Sequence, residues 1–351
     1  MEDTIKFIEN ENKRKKAVTP PAFGTTFTNY MFEMKYNDQD GWHNATIKPY
    51  EAFTIEPSAL CFHYGQTIFE GLKVLKTNNK RILFRADANL KRLNDSAKRM
   101  CMPEIDVDFV LKALVELIKK EEDNWFYDNI DSYLYIRPFM IASEAIIGAR
   151  QSKEYIFMII MSPMSTYFTS DKVKLTTETH YMRVPTNGTG EVKNGGNYGG
   201  AFYATANANK NGYNQVLWLD PHEQKYIEEA GMMNVFFIVD NKIITPNTSG
   251  SILKGITRDS VINIAPELGY EVEEKKIDID NLVELYKQGR VSEAFATGTA
   301  ASIQPLDIIN HNGFEMEFIY DENSVSTKVY DYLENIKKGL IKDKFNYIIE
   351  F

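Results

Sequence analysis

Residues 191–200 read EVKNGGNYGG. One lysine, Lys193, stands beside paired glycines, and a tyrosine, Tyr198, follows five residues on. A solvated lysine in an ordinary loop needs no such setting. Glycine serves where the backbone must bend sharply or come close to something. The stretch is therefore either a flexible turn or the lining of a binding site, and the rest of the chain has to separate the two.

At 351 residues the chain exceeds what one core normally organises, so two domains are expected. They are a small N-terminal α/β domain over 1–169, a linker over 170–181, and a larger C-terminal domain over 182–351 that carries Lys193. The formal net charge of -9 argues against binding to a nucleic-acid backbone. The run Lys13-Arg14-Lys15-Lys16 is short and isolated, as a solvated terminal segment would be. No apolar run reaches the length of a membrane span, and the first thirty residues lack a signal-peptide apolar region. Cys61 and Cys101 form neither a metal spacing nor a disulfide framework. The expectation is a reduced, cytoplasmic protein that binds no nucleic acid, no membrane and no metal.

Apolar spacing predicts the elements. A strand over 81–84 leads to a helix capped by Asp87, with Leu90, Leu93, Ala97 and Met100 on one face. Asp106 opens a second helix, with Val110, Leu111, Leu114, Val115 and Ile118 inward. Strands follow over 133–139 and 155–161. Alternation puts Tyr133, Tyr135 and Arg137 on one side of the first, either as a solvent-facing side or as a polar pocket wall. A strand over 173–183 precedes a loop over 184–198. Beyond it come an alanine-rich helix stopped at Asn211-Gly212, strands over 215–219, 225–228, 235–239 and 242–245, and a helix over 258–268 that contains Pro266. Asp278 or Asp280 starts another helix, and a strand over 292–296 runs into the turn 297–300.

There is no Ser-His-Asp pattern, no HExxH, no P-loop, and no GxGxxG after a strand. Three features remain. Lys193 lies in a glycine-containing loop before a helix. Glu228-Glu229 precede Ala230-Gly231 at a strand end. The turns Gly255-Ile256-Thr257 and Thr297-Gly298-Thr299-Ala300 offer backbone N–H groups and hydroxyls, the first of them at a helix N-terminus that favours an anion. An amine, a carboxylate and a phosphate cradle are the parts that hold pyridoxal 5'-phosphate. Spacing alone does not show that they converge.

The blocks FGTTFTNYMFEMKY, HYGQTIFEGLKV, LFRADANLKRL, YLYIRPFMI, VKNGGNYGG, QVLWLD, EEAGMMNVFF, GITRDSVINIA and ATGTAAS occur in this order between Phe23 and Ser302. In them the chain resembles the branched-chain amino-acid aminotransferases of the fold-type IV pyridoxal phosphate family. Lys-x-Gly-Gly-Asn-Tyr followed by Glu-x-Gly-x-Met-Asn is the specific part. The resemblance implies a two-domain α/β (α+β) fold of the D-amino-acid aminotransferase-like kind, with the cofactor at the domain interface. It implies amino transfer between leucine, isoleucine or valine and 2-oxoglutarate, in a homodimer whose active site lies at the subunit interface.

By the same resemblance Lys193 is the Schiff-base lysine and Tyr198 bonds the cofactor's phenolic oxygen. Glu229, not Glu228, pairs with the pyridine nitrogen. Arg85, Ile256, Thr257 and Thr299 match the phosphate site, and Arg183 falls near the cofactor. The N–H groups of Thr299 and Ala300, with the Tyr64 hydroxyl, match the substrate carboxylate site. Phe27, Phe69, Tyr135, Arg137 and Tyr167 match the side-chain pocket. The loop Ala145–Ala149 matches one that covers the partner's pocket. The chain departs from mammalian relatives at Met232, where they carry a threonine, and at Ala301–Gln304, where they carry a redox Cys-x-x-Cys. A D-amino-acid transaminase and an aminodeoxychorismate lyase share the fold and lysine. A non-catalytic cofactor-binding or scaffolding protein would be expected to have lost Lys193 or Glu229.

Overall fold

The computed structural model describes residues 4–14, 21–77, 80–121, 125–126, 133–164, 172–248 and 250–351. These fall into two compact units. One takes the described residues before 165 together with Lys193–Gly195 and Lys337–Phe351. The other takes those from 172 to Val192 and Gly196–Ile336. Each contains one large mixed sheet, so the fold is α/β with two sheets. Among the described residues no helix is long and apolar enough to cross a membrane.

In the first unit the sheet runs Lys6–Phe7, Gly41–Pro49, Tyr30–Asn37, Glu154–Met164, Tyr133–Ala142, Leu72–Thr77, Lys80–Phe84, Ile348–Glu350. The short strand Thr67–Phe69 pairs with Tyr133–Ala142 as well, through Thr67 opposite Ile141 and Phe69 opposite Phe139. Two helices contribute to the core, Ala86–Arg99 and Val107–Lys120, and the expected apolar faces are the buried ones. Leu90, Leu93, Ala97, Val110 and Leu114 are all fully buried. Asp106 caps the second helix by accepting the Phe109 N–H at 3.0 Å. The first helix departs from expectation. Arg85, not Asp87, is its N-cap residue, in the left-handed region at φ 51°. Asp87 lies in the first turn and pairs with Lys91 at 3.0 Å, the i,i+4 relation.

In the second unit the sheet runs Val272–Glu274, Lys242–Thr245, Met233–Val239, Ile227–Ala230, Gln215–Leu219, Lys174–Glu178, Ile308–His311, Phe314–Glu317. The strand Val291–Gly298 pairs with both Met233–Val239 and Ser302–Pro305. The strand expected over 173–183 covers only Lys174–Glu178, and it lies inside the span read as a linker. The hairpin turn forms at Asp240 and Asn241, both at positive φ as a primed turn requires. Pro266 ends the α-helix instead of bending it. The helix is Ile256–Ile264, and Ala265–Leu268 continue as a single 3-10 turn closed by Gly269 at φ 82°. Asp278 is the cap of Ile279–Lys287, accepting the N–H groups of Asp280 and Asn281.

Candidate active site

The Lys193 backbone is tied down on both sides within the first unit. Its N–H donates to Ser96 Oγ at 3.0 Å, and its carbonyl accepts the Phe69 N–H at 3.0 Å. Ile68 and Asn194 form a bridge next to it. Gly195 is required here by packing, because a Cβ at that position would meet Thr67 Oγ1 at 2.8 Å. Gly199, by contrast, faces open space. The residues read as loop include the short helix Gly195–Gly199. On the second-unit side, the Asn197 side chain receives the Thr189 hydroxyl at 2.7 Å and donates to the carbonyls of Thr189 and Val192 at 2.7 and 2.9 Å. Asn197 thereby fixes the turn that precedes Lys193.

Ser96 and Phe69 are themselves positioned by a buried ion pair. Glu70 is fully buried and receives Arg92 through two bonds, Nε at 2.7 Å and Nη2 at 2.9 Å. Asn89 adds a third at 3.0 Å. Burial works against the Glu70 charge, but Arg92, the Lys193 charge and Asn89 together hold the carboxyl below its ordinary range. The pair links the strand carrying Phe69 to the helix carrying Ser96.

An aromatic and cationic cluster surrounds the lysine side chain. Lys193 Nζ lies 4.7 Å from the Phe69 ring centroid, and the Arg137 guanidinium lies 4.7 Å from the same centroid. Arg137 Nη2 donates to the Tyr135 hydroxyl at 3.0 Å, while its Nε is buried without a hydrogen-bond partner among the described residues. Phe23 packs edge-on against Tyr135 at 4.9 Å. Tyr135 sits where a Gly71 side chain would be, since a Cβ there would meet its hydroxyl at 2.1 Å. Tyr133 and Tyr135 are each 8% exposed. Their side of the strand is not a solvent face, because Lys73 covers Tyr133 and Phe23 covers Tyr135.

The remaining first-unit residues lie in other contacts. Phe27 stacks on Tyr50 at 4.8 Å. Tyr64 donates its hydroxyl to the Ile147 carbonyl at 2.6 Å. Arg85 stacks over the Tyr347 ring at 4.4 Å. Tyr167 lies outside the described residues.

In the second unit Arg183 and Glu229 form a buried ion pair, Nε to Oε2 at 3.2 Å. Glu229 Oε1 accepts the Leu253 N–H at 2.7 Å, and Arg183 Nη2 reaches the carbonyls of Gly190 and Ser251. Gly190 has no room for a side chain, because a Cβ would meet the Ser251 carbonyl oxygen at 2.3 Å. Glu228 is buried too, and Ser251 donates its hydroxyl to it. Burial pushes the Glu228 carboxyl up to about 7; Ser251 and Arg183 oppose the rise, and the charges of Glu229 and Asp220 add to it.

Asn234 brings the two expected phosphate turns together. Its amide donates to the Leu253 carbonyl at 2.9 Å, and Gly255 packs so closely that a Cβ would stand 2.0 Å from its Oδ1. In the sheet Asn234 is registered with Thr297, the first residue of the other turn. Gly255 is the cap residue of the helix whose first residues are Ile256 and Thr257, and as a glycine it brings no capping side chain of its own. Its N–H groups and dipole suit an anion. Thr299 and Ala300 follow directly on the strand Val291–Gly298, and Tyr198 lies on the short helix after Lys193.

A model of the amino-transferase class IV family matches residues 67–309, from the strand beside Lys193 to beyond both turns. The chain belongs to the class IV aminotransferase family. It is 42% identical to a probable branched-chain-amino-acid aminotransferase of Staphylococcus epidermidis, over 100% of this chain and 99% of that one. It is similar in structure to the branched-chain amino acid aminotransferase of Escherichia coli, with a TM-score of 0.71 and 25% identity over 92% of this chain and 98% of the other. A T.th. branched-chain amino acid aminotransferase complexed with N-(5'-phosphopyridoxyl)-L-glutamate gives a TM-score of 0.72 at 25% identity, over 90% and 97%.

Three residues of this class IV aminotransferase escaped the sequence reading, Glu70, Arg92 and Ser251, and Asn234 stood in the motif Glu-x-Gly-x-Met-Asn with no role assigned to it. Glu70 stood in a quoted block, FEG, between Phe69 and a glycine. A charged residue in an otherwise apolar strand was the available signal for it. Arg92 and Ser251 carried none, because their partners lie 22 and 23 residues away.

Proposed function

We propose that this chain catalyses reversible amino transfer between L-leucine, L-isoleucine or L-valine and 2-oxoglutarate, with pyridoxal 5'-phosphate as cofactor. The observation that carries the reading is the cluster at Lys193. Aromatic rings there offer an aliphatic side chain an apolar wall, and Arg137, with its buried Nε unpartnered among the described residues, offers a carboxylate a cation. One such surface serves both a branched-chain amino acid and glutamate.

The donor set fits the cofactor. A lysine amine, a buried carboxylate paired with Arg183 and the Leu253 N–H, and a helix N-terminus with glycine as its cap residue are the groups that pyridoxal phosphate needs. When bound, it supplies an aldehyde that joins the substrate amine and a ring that takes up the electron pair left at Cα. Lys193 would hold the cofactor at rest, and its freed amine would take the proton from the substrate Cα and deliver it to the cofactor's former aldehyde carbon, acting as base and then as acid. Glu229 keeps a proton on the ring nitrogen. Ile256, Thr257, Thr299 and Arg85 bind the phosphate, Arg183 braces Glu229, and Tyr198 orients the ring through its phenolic oxygen. Tyr64 and the N–H groups of Thr299 and Ala300 hold the substrate carboxylate. Phe27, Phe69, Tyr135 and Arg137 line the side-chain pocket.

Assembly as a homodimer belongs to the same proposal. Phe62, Tyr64 and Ile147 are 61%, 47% and 68% exposed in the single chain, an apolar surface of the kind a second subunit covers. Cytoplasmic residence is proposed with it, supported by the free thiols of Cys61 and Cys101.

The test is a substrate panel on the purified protein. Amino transfer from the three branched-chain L-amino acids to 2-oxoglutarate, with a near-visible cofactor absorption band, is expected. Transfer from D-alanine, or release of pyruvate from aminodeoxychorismate without an amino acceptor, would replace the reading with one of its relatives. Absence of the absorption band would remove enzyme function by this cofactor.

A further inference from the structure

The second unit buries two consecutive carboxylates, Glu228 and Glu229, 5% and 3% exposed, with one arginine against them. Arg183 pairs with Glu229 and otherwise engages the carbonyls of Gly190 and Ser251. Glu228 receives the Ser251 hydroxyl on Oε1, and its Oε2 is buried with no hydrogen-bond partner among the described residues. A buried carboxylate that lacks a cation of its own is better accommodated neutral than charged. Two carboxylates, one arginine and one proton therefore make a balanced set. The charged and polar groups acting on Glu228 are Ser251, Arg183, Glu229 and Asp220.

Both carboxylates also hold the same short segment. Glu228 takes the Ser251 hydroxyl and Glu229 takes the Leu253 N–H. The segment is thus held at two points, Ser251 and Leu253. Two residues further on, Gly255 caps the helix that begins Ile256-Thr257. Glu228 has no role in the chemistry described above.

We propose that Glu228 is a positioning residue that keeps a proton of its own beside the Glu229–Arg183 pair and couples it, through Ser251, to the turn that binds the cofactor phosphate. The inference rests on the reading of Ile256 and Thr257 as phosphate-binding residues. With its proton, Glu228 leaves Glu229 as the sole anion on Arg183. Without it, a second negative charge bears on Arg183 and on the segment leading to the turn, and the hold on an anion weakens. Burial raises the Glu228 carboxyl to about 7, which places the change near neutral pH.

The experiment compares the full-length protein with Glu228→Gln, which has the shape of the protonated side chain and no titration. The probe is pyridoxine 5'-phosphate, which has no aldehyde and so leaves Lys193 chemistry out of the measurement. Taking the ratio of the two dissociation constants at each pH cancels the titration of the probe itself. The two proteins should bind about equally near pH 6, with the wild type about threefold or more weaker near pH 8.5. A second readout needs no ligand. The native state holds this proton more tightly than the unfolded chain, so its stabilising contribution is complete below the ordinary carboxyl value of 4.5 and is lost as pH rises to about 7. Across that window the wild type should lose unfolding free energy relative to Glu228→Gln. Binding with a ratio that stays flat over the whole range overturns the inference alone. Absence of binding by either protein at every pH removes the phosphate-site reading along with it. If Glu228→Gln does not fold, Ser251→Ala takes its place. It removes the hydroxyl through which the coupling runs, so the wild type's extra loss of affinity above neutral pH should disappear, and a profile unchanged from wild type overturns the proposal.

Discussion

Lys193 Nζ stands 4.7 Å from the centre of the Phe69 ring, and the backbones of the same two residues are hydrogen-bonded, Phe69 N–H to Lys193 carbonyl at 3.0 Å. The strand that supplies the ring also holds the lysine's own peptide. Side-chain position is thus set by main-chain bonds that survive when the side chain is changed.

Lys193→Ala should therefore separate chemistry from stability. The backbone bonds remain, the lost cation–ring contact is worth only about 0.5–1 kcal/mol, and Glu70, which loses the Lys193 charge, keeps Arg92 and Asn89. Turnover should fall by about 10²–10⁴-fold or more, with unfolding free energy down by no more than about 1 kcal/mol. Steady-state rates and urea unfolding on one preparation measure both. Near-normal turnover would remove Lys193 from the mechanism.

Glu229→Gln removes the charge that faces Arg183 but leaves that arginine the carbonyls of Gly190 and Ser251. The fold should persist with a loss of about 1–3 kcal/mol. Cα proton removal should slow more than cofactor binding weakens, and single-turnover absorbance separates the two steps. An equal slowing of proton removal in Glu228→Gln would undo the assignment between the neighbours.

Arg137→Gln tests dual recognition. A hydrogen bond to a charged group contributes about 1.5–3 kcal/mol, so the KM for 2-oxoglutarate should rise about 10- to 100-fold. The KM for leucine should change by less than about threefold, since the aromatic walls remain. Equal losses for both substrates would mean that Arg137 supports the fold of the pocket and does not read the carboxylate.

Gly255→Ala places a methyl group against Asn234 Oδ1, at a built distance of 2.0 Å. The side chain must leave the Leu253 carbonyl or the turn must shift. Overpacking of this kind costs about 1–3 kcal/mol, and cofactor affinity should fall with it. Gly199→Ala meets no atom within 4 Å and should change stability by less than about 1 kcal/mol. Thermal unfolding of the two variants side by side decides the matter, and equal effects would remove the packing argument.

Mixed dimers test where Tyr64 acts. In the single chain its hydroxyl bonds Ile147, on a loop that is itself exposed. Lys193→Ala and Tyr64→Phe are dissociated, mixed and allowed to reassemble. If Tyr64 serves the partner's site, a hybrid holds one site with both defects and one with neither, and activity partly returns. If it serves its own site, a hybrid shown to form restores nothing.

Local order was largely legible from residue spacing. The apolar faces at Leu90, Leu93 and Ala97 and at Val110 and Leu114, the cap at Asp106 and the stop at Asn211-Gly212 follow from period and end chemistry, which depend on near neighbours. The cap at Asp87 failed because Arg85 takes a left-handed conformation one residue before the helix, and an arginine carries no sign of that in its identity. Tyr133 and Tyr135 failed as a solvent face because alternation tells which side chains share a side, and not what covers that side.

The order Lys-x-Gly-Gly-Asn-Tyr, then Glu-x-Gly-x-Met-Asn, is a property of the chain alone, and it sufficed to identify the family. What surrounds those residues is decided by tertiary structure. The bond from Glu70 to Arg92 spans 22 residues, that from Glu228 to Ser251 spans 23, and Asn234 joins two turns that lie on either side of a helix in sequence. Spacing encodes which residues share a strand or a helix face. Which strand meets which helix depends on how whole elements pack, and a buried carboxylate acquires its charge state only from the partners that packing delivers.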